Sequence, residues 1–167
     1  SNELNNTNNL KTIVNNNVNY NSFDFISNNG FKSAYNLYFK NLNTVAKNDS
    51  NFRSSPQTEL MSTIELASSI PLINNSLKNN IDYLTPKISL RYNPGDMKNY
   101  ATDDRSINVD NIFNINRLGI NDTFEEGKSL TLGIDYKKER LSDINKYFEA
   151  KLATVIRDEN EKSIPTK

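Results

Sequence analysis

Histidine and cysteine are both missing from this 167-residue chain. Their absence excludes a Ser-His-Asp or Cys-His nucleophile, thiolate and imidazole metal sites, and any disulfide. Carboxylates, lysine, tyrosine and hydroxyls remain, and no catalytic residue, cofactor-binding residue or metal ligand is assigned among them. No run of about 18 apolar residues occurs, which excludes a transmembrane helix. A basic-then-apolar start is absent too, so no signal peptide is visible, and the opening SNELNNTNNL reads like the middle of something longer. Neither sign of charge prevails: 20 basic and 20 acidic residues leave no global field to draw nucleic acid or an anionic membrane. Only 35% of residues are hydrophobic, so a conventional packed core would be thin. Such a composition, rich in asparagine, also fits disorder. Against disorder stand 8 tyrosines and 8 phenylalanines, most of them inside alternating segments.

Alternation with a period of two is the main pattern, and it reads as β-strand. Phe31, Ser33, Tyr35, Leu37 and Phe39 form one phase of GFKSAYNLYFKNL, with Lys32, Ala34, Asn36, Tyr38 and Lys40 in the other. Leu60, Ile64, Leu66 and Ile70 oppose Glu65 and small residues. Leu84, Ile88, Leu90 and Tyr92 oppose Lys87, Ser89 and Arg91. Leu130, Leu132, Ile134 and Tyr136 oppose Ser129, Thr131, Gly133, Asp135 and Lys137. The stretch after Tyr136 also fits an amphipathic helix, with Leu141, Ile144, Phe148 and Leu152 three or four apart. Alternation from Phe148 to Ile156 and the β-branched ATVI favour a strand instead. An earlier run, 13–26, is weaker and its phase slips near Asn21. Pro86 cannot donate to a ladder, so it marks either the true start of its strand or a bulge.

Strands are therefore expected near 13–26, 31–42, 58–70, 81–92, 129–138 and 146–157, with a long loop at 93–128. The connections alternate: short at 27–30, 71–80 and 139–145, long at 43–57 and 93–128. Outer-membrane barrels combine short turns at one end with long loops at the other, on strands of about ten residues that alternate apolar-out and polar-in. The fold class expected is all-β: an antiparallel up-and-down meander of six to seven strands, part of a large transmembrane β-barrel. The polar phases, including Lys40, Glu65, Lys87, Arg91, Asp135, Lys151 and Arg157, then line either a water-filled lumen or the wet face of a soluble sheet.

The densest polar constellation is Asn116, Arg117, Gly119, Asp122, Glu125 and Gly127. One reading is a loop folded into a barrel lumen, with Arg117 paired to Asp122 or Glu125; the other is a surface loop with solvated charges. Asp96, Asp103, Asp104 and Asp110 share the loop, but their spacing does not match an EF-hand.

Several segments together resemble the C-terminal β-barrel of the LptD family, the lipopolysaccharide-assembly or organic solvent tolerance proteins. They are Leu84–Lys87 (LTPK) in one strand, Arg91-Tyr92-Asn93-Pro94-Gly95 at its end, Asn116-Arg117-Leu118-Gly119 with Asp122, Glu125 and Gly127 in the loop, and Ser129–Gly133 (SLTLG) in the next strand. The resemblance spans roughly Ser69–Glu139; upstream, only the strand rhythm agrees. It implies a place in the Gram-negative cell outer membrane, contact with outer-membrane lipids, and insertion by the barrel-assembly machinery. It also implies delivery of lipopolysaccharide into the outer leaflet, with an LptE-like lipoprotein plugging the barrel; the even charge balance separately argues for no nucleic-acid partner. Barrels of that family belong to the class of about 26 strands. Residues 1–167 would then be a single partial barrel domain, an internal fragment open at both edges, and the family's lateral gate has no counterpart in it. Two other readings stand beside this one: a small porin-like outer-membrane barrel, and a soluble all-β binding module.

Overall fold

A computed structural model describes residues 10–48, 53–75, 79–158 and 162–165. Among them are eight strands and no helix: β1 (Leu10–Asn21), β2 (Phe25–Ile26), β3 (Lys32–Lys47), β4 (Gln57–Ser69), β5 (Leu72–Asn74), β6 (Asn80–Asn93), β7 (Gly127–Arg140) and β8 (Asp143–Arg157). They form one open antiparallel sheet in the order β1-β3-β4-β6-β7-β8, with β2 beside β3 and β5 beside β6. This is the expected up-and-down meander, and the strand reading of 146–157 holds over the helical one.

The two short strands continue their predecessors. From Asn21 to Phe25 the chain advances four residues while its partner moves three, from Asn36 to Ser33. One extra residue therefore separates β1 from β2, which is the phase slip near Asn21. The strand β5 keeps the register of β4 against β6. Pro86 explains the break between them. The Ile70 N–H donates to the Pro86 carbonyl at 3.1 Å, but Pro86 has no N–H to return the bond.

Three expectations need correction here. Pro86 is neither a strand start nor a bulge: it lies inside β6, opposite Ile134, in a β6–β7 register that runs unbroken from Asn80 to Asn93. Part of the expected turn at 71–80 is the paired strand β5. The connection expected from Asn43 begins only after Lys47, because β3 stays paired with β4 out to Thr44–Gln57 and with β1 out to Leu10–Lys47; residues 49–52 of it, and the opening 1–9, lie outside the described residues.

The two turns at 27–30 and 141–142 lie at one end of the sheet. Gly30, at φ +82, closes the first, with its N–H on the Ser27 carbonyl at 3.0 Å. Two residues, Leu141 and Ser142, make the last. The connections 48–56 and 94–126 lie at the opposite end.

Because side chains alternate across a strand, each phase becomes one face of the sheet. One face carries Lys40, Thr44, Thr63, Glu65, Ser89, Arg91, Asn93 and Thr131, all buried. The other carries Leu66, Leu90, Leu130 and Ile156 in one row across four strands, with Ile64, Ile88, Leu132, Ile134 and Leu152 nearby. All of these except Leu130 are exposed, and Leu152 is 73% exposed. The sheet is thus covered on its charged face and bare on its apolar one.

Candidate functional site

What covers the charged face is the connection 94–126. Its own small core joins Met97, Leu118, Ile120 and Ile164, with Tyr100 and Ile107 packed against it. A second cluster sets Phe124 on Leu42 and Met61 of the sheet, and Lys40 Nζ lies 4.6 Å from the centre of the Phe124 ring.

Arg117 is the deepest anchor. Its Nε donates to Glu125 Oε2 at 2.5 Å, Nη1 to Thr131 Oγ1 at 3.1 Å and Nη2 to Ser129 Oγ at 2.9 Å. Glu125 also takes Arg157 Nε on its other oxygen at 2.8 Å. Loop and β8 therefore meet on one carboxylate, and Arg117 links it to β7. Burial opposes ionisation of Glu125, but Arg117 and Arg157 outweigh it and hold the carboxyl below its ordinary value. Burial also pulls the Arg117 guanidinium down, with Glu125 opposing.

A second charged knot lies on β4 and β6. Arg91 Nε donates to Glu65 Oε1 at 3.0 Å, and Ser89 Oγ donates to the same oxygen at 2.8 Å. Asn36 Nδ2 reaches Glu65 Oε2 at 3.0 Å. Arg91 Nη2 then leaves the sheet and binds the Phe113 carbonyl of the loop at 2.7 Å. Asn93 Nδ2 holds the Glu125 carbonyl at 3.1 Å, and Lys40 Nζ holds the Asn121 carbonyl at 2.6 Å. Buried pairs of this kind contribute little net stability, but removing one partner costs several kcal/mol because the other charge is left unpaired.

The remaining residues singled out in the loop shape its backbone. Asn116 brackets Ile120, with Nδ2 on its carbonyl at 2.7 Å and Oδ1 accepting its N–H at 2.8 Å. Gly119 sits between them at φ +66, where a side chain would be strained. Its carbonyl accepts from Arg105 Nη1 at 2.7 Å. Gly127, at φ +74, turns the chain into β7. Asp122 does not meet Arg117; it takes the Tyr100 hydroxyl and lies 3.5 Å from Lys98 Nζ. Burial first, and the bond to Asp122 second, push the Tyr100 phenol up to about 12. These groups border a polar cavity of about 640 Å³ with Thr44, Arg53, Gln57 and Glu59.

Of the loop aspartates, Asp103 pairs with Arg105 at 2.9 Å and Asp110 with Lys151 at 3.3 Å. Among the described residues no group of three or more acidic side chains gathers where a metal ion could sit.

Phe113 is a contact that sequence reading missed, and Asn93 stood there only as part of the strand-end motif, with no contact to the loop expected of it. The available signal was Gly133, a glycine inside a strand, which often marks close approach by another group. Compared with known families, with curated proteins and with solved structures, the chain gives no match. The arrangement itself acts as a clamp: each carboxylate of the two knots is held by arginine, and bonds made by Arg91, Arg117, Arg157, Asn93 and Lys40 tie the loop to the sheet.

Proposed function

We propose that this chain is a wall segment of an outer-membrane β-barrel, with the loop 94–126 lying in the lumen. The single observation that carries this reading is the inverted polarity of the sheet. Soluble sheets cover their apolar face; here the covered face bears Glu65, Arg91, Thr131 and Lys40, while leucines and isoleucines stand bare on the other. The outward apolar phase is also limited in height. It runs from Leu84 to Tyr92 in β6 and from Phe148 to Ile156 in β8, nine residues each. Along β3 it runs from Phe31, just before the strand, to Phe39, and then the same phase turns to Asn41 and Asn43. Nine residues extend about 30 Å along a strand, which at a tilt of roughly 40° gives about 23 Å, close to the apolar band of about 25 Å on such barrels.

The finer reading rests on the LptD-like motif residues: the complete protein delivers lipopolysaccharide to the outer leaflet, with an LptE-like lipoprotein in the lumen. Barrel-assembly machinery inserts it. The geometry supports this reading in one respect. Arg117, Glu125, Gly127 and Ser129, which carry much of the resemblance, sit at or beside the clamp that joins loop to wall.

The test is Arg117→Ala in the full-length protein, followed by arrival of new lipopolysaccharide at the cell surface and by outer-membrane permeability to a hydrophobic dye. Slower delivery and raised permeability are expected. Depletion of the whole protein that leaves both measurements normal would sink the lipopolysaccharide role, while normal values in the Arg117→Ala protein alone would remove the loop from it.

A further inference from the structure

The turn end of the β7–β8 hairpin gathers three cations around one cleft. Lys138 and Arg140 come from the end of β7 and Lys146 from β8, and with Tyr147 and Phe148 they border a space of about 360 Å³. The register explains the gathering. Glu139 pairs with Tyr147 and Arg140 with Asp143, so residues 144–146 have no counterpart on β7 and bulge at this corner. The opposing charges nearby are two. Asp143 lies 3.4 Å from Lys146 Nζ. Asp82 stands opposite Lys138 in the β6–β7 register and takes the Tyr136 hydroxyl at 3.1 Å. Lys137 and Glu139, on the other phase of β7, pair with each other. The balance leaves a positive excess at Lys138 and Arg140.

On the apolar face next to this corner, Pro86, Ile88, Leu132, Ile134 and Leu152 border an apolar groove of about 500 Å³. Lys138 is four residues beyond Ile134, roughly 13 Å along the strand. Tyr136 lies between them, its ring 6.2 Å from that of Phe148, which stands opposite Lys138. Cationic, aromatic and apolar surfaces thus follow one another along the same two strands, in the order that a phospholipid presents phosphate, glycerol and acyl chain.

We propose that this corner binds one glycerophospholipid. Its phosphate sits between Lys138 and Arg140, where charge-assisted hydrogen bonds are available. Its glycerol lies level with Tyr136 and Phe148, the depth at which aromatic rings gather in membranes. One acyl chain follows the Ile134–Leu152 groove. The site rests on the membrane-barrel reading above.

The test uses the full-length protein folded in detergent with phosphatidylglycerol. Insertion is scored first, by heat-modifiable migration on gels, and native mass spectrometry then counts the lipid retained. The Lys138→Ala/Arg140→Ala protein is expected to retain on the order of tenfold less than wild type. A Lys138→Arg/Arg140→Lys swap keeps the lipid, as does Lys47→Ala at the opposite end of the sheet, and excess inorganic phosphate does not displace it. Equal retention by the double-alanine protein overturns the lipid site and leaves the barrel reading standing. Displacement by inorganic phosphate also overturns it, in favour of a simple anion site. A wild-type protein without heat-modifiable migration overturns the barrel reading and the site together.

Discussion

The ring of Phe113 occupies the space a side chain would fill at Gly133. A β-carbon there would stand 2.6 Å from ring Cε2 and 2.8 Å from Cζ, well inside van der Waals contact. The Phe113 carbonyl meanwhile accepts from Arg91, and Lys87 Nζ lies 5.6 Å from the ring centre. A glycine in mid-strand is thus the seat of the loop's aromatic anchor, held from β6 by Lys87 directly opposite it and by Arg91 four residues on.

Gly133→Val forces that ring off its seat. Overpacking of this kind costs about 1–3 kcal/mol, and it falls on the loop rather than the ladder because the strand backbone is already extended. Limited proteolysis of the folded full-length protein should show cleavage within 94–126 that wild type resists. Unchanged protection in the valine protein would mean that the ring does not rest there.

Arg117→Ala leaves Glu125 buried with Arg157 as its remaining ionic partner. The expected loss is about 3 kcal/mol, the scale for breaking a buried pair from one side. Asp122→Asn should cost less than about 1 kcal/mol, since its Lys98 bridge is partly exposed. Denaturant midpoints compare the two. Equal losses would contradict the choice of Glu125 over Asp122 as the partner of Arg117.

Acid should loosen the loop through Glu125. Its folded pKa lies below the unfolded value of about 4.3. The stabilisation is therefore present above that value and is lost as pH falls through the folded pKa. Tyr100 has the opposite sign: its pKa is raised to about 12, so its contribution holds below about 10 and fades as pH climbs towards 12. Proteolysis of the loop across pH should show an acid limb that disappears in Glu125→Gln, whose loop is already weakened at neutral pH.

Leu132→Arg places a charge amid the bare apolar face. In a bilayer this costs about 2–4 kcal/mol near the midplane, and folding yield into phospholipid vesicles should fall. The isolated chain, with that face and both sheet edges open, should aggregate in water. A soluble, cooperatively melting monomer, improved rather than harmed by Leu132→Arg, would favour the soluble-module reading instead.

Much of this was legible before folding. The two phases of β3, β4, β6, β7 and β8 follow from period-two alternation alone, so Leu90 and Arg91 were bound to face opposite ways. The loop anchor Arg117 stood out through its neighbours Gly119, Glu125 and Gly127. Less legible was Pro86, which looks like a strand breaker; its β7 side needs no donor, so the penalty falls only on the β4–β5 ladder. Phe113 carried no local mark, because what makes it an anchor is a glycine twenty residues later in the chain.

By itself the sequence determined the strands, their two faces and the chemistry ruled out by missing histidine and cysteine, because alternation and side-chain identity are local properties. Tertiary structure decided which face is covered, that Arg117 takes Glu125, and that Asn15 Nδ2 meets the Asn121 carbonyl 106 residues away at 3.0 Å. Those contacts depend on register summed across several strands and on the path of one long loop, and no local pattern encodes either.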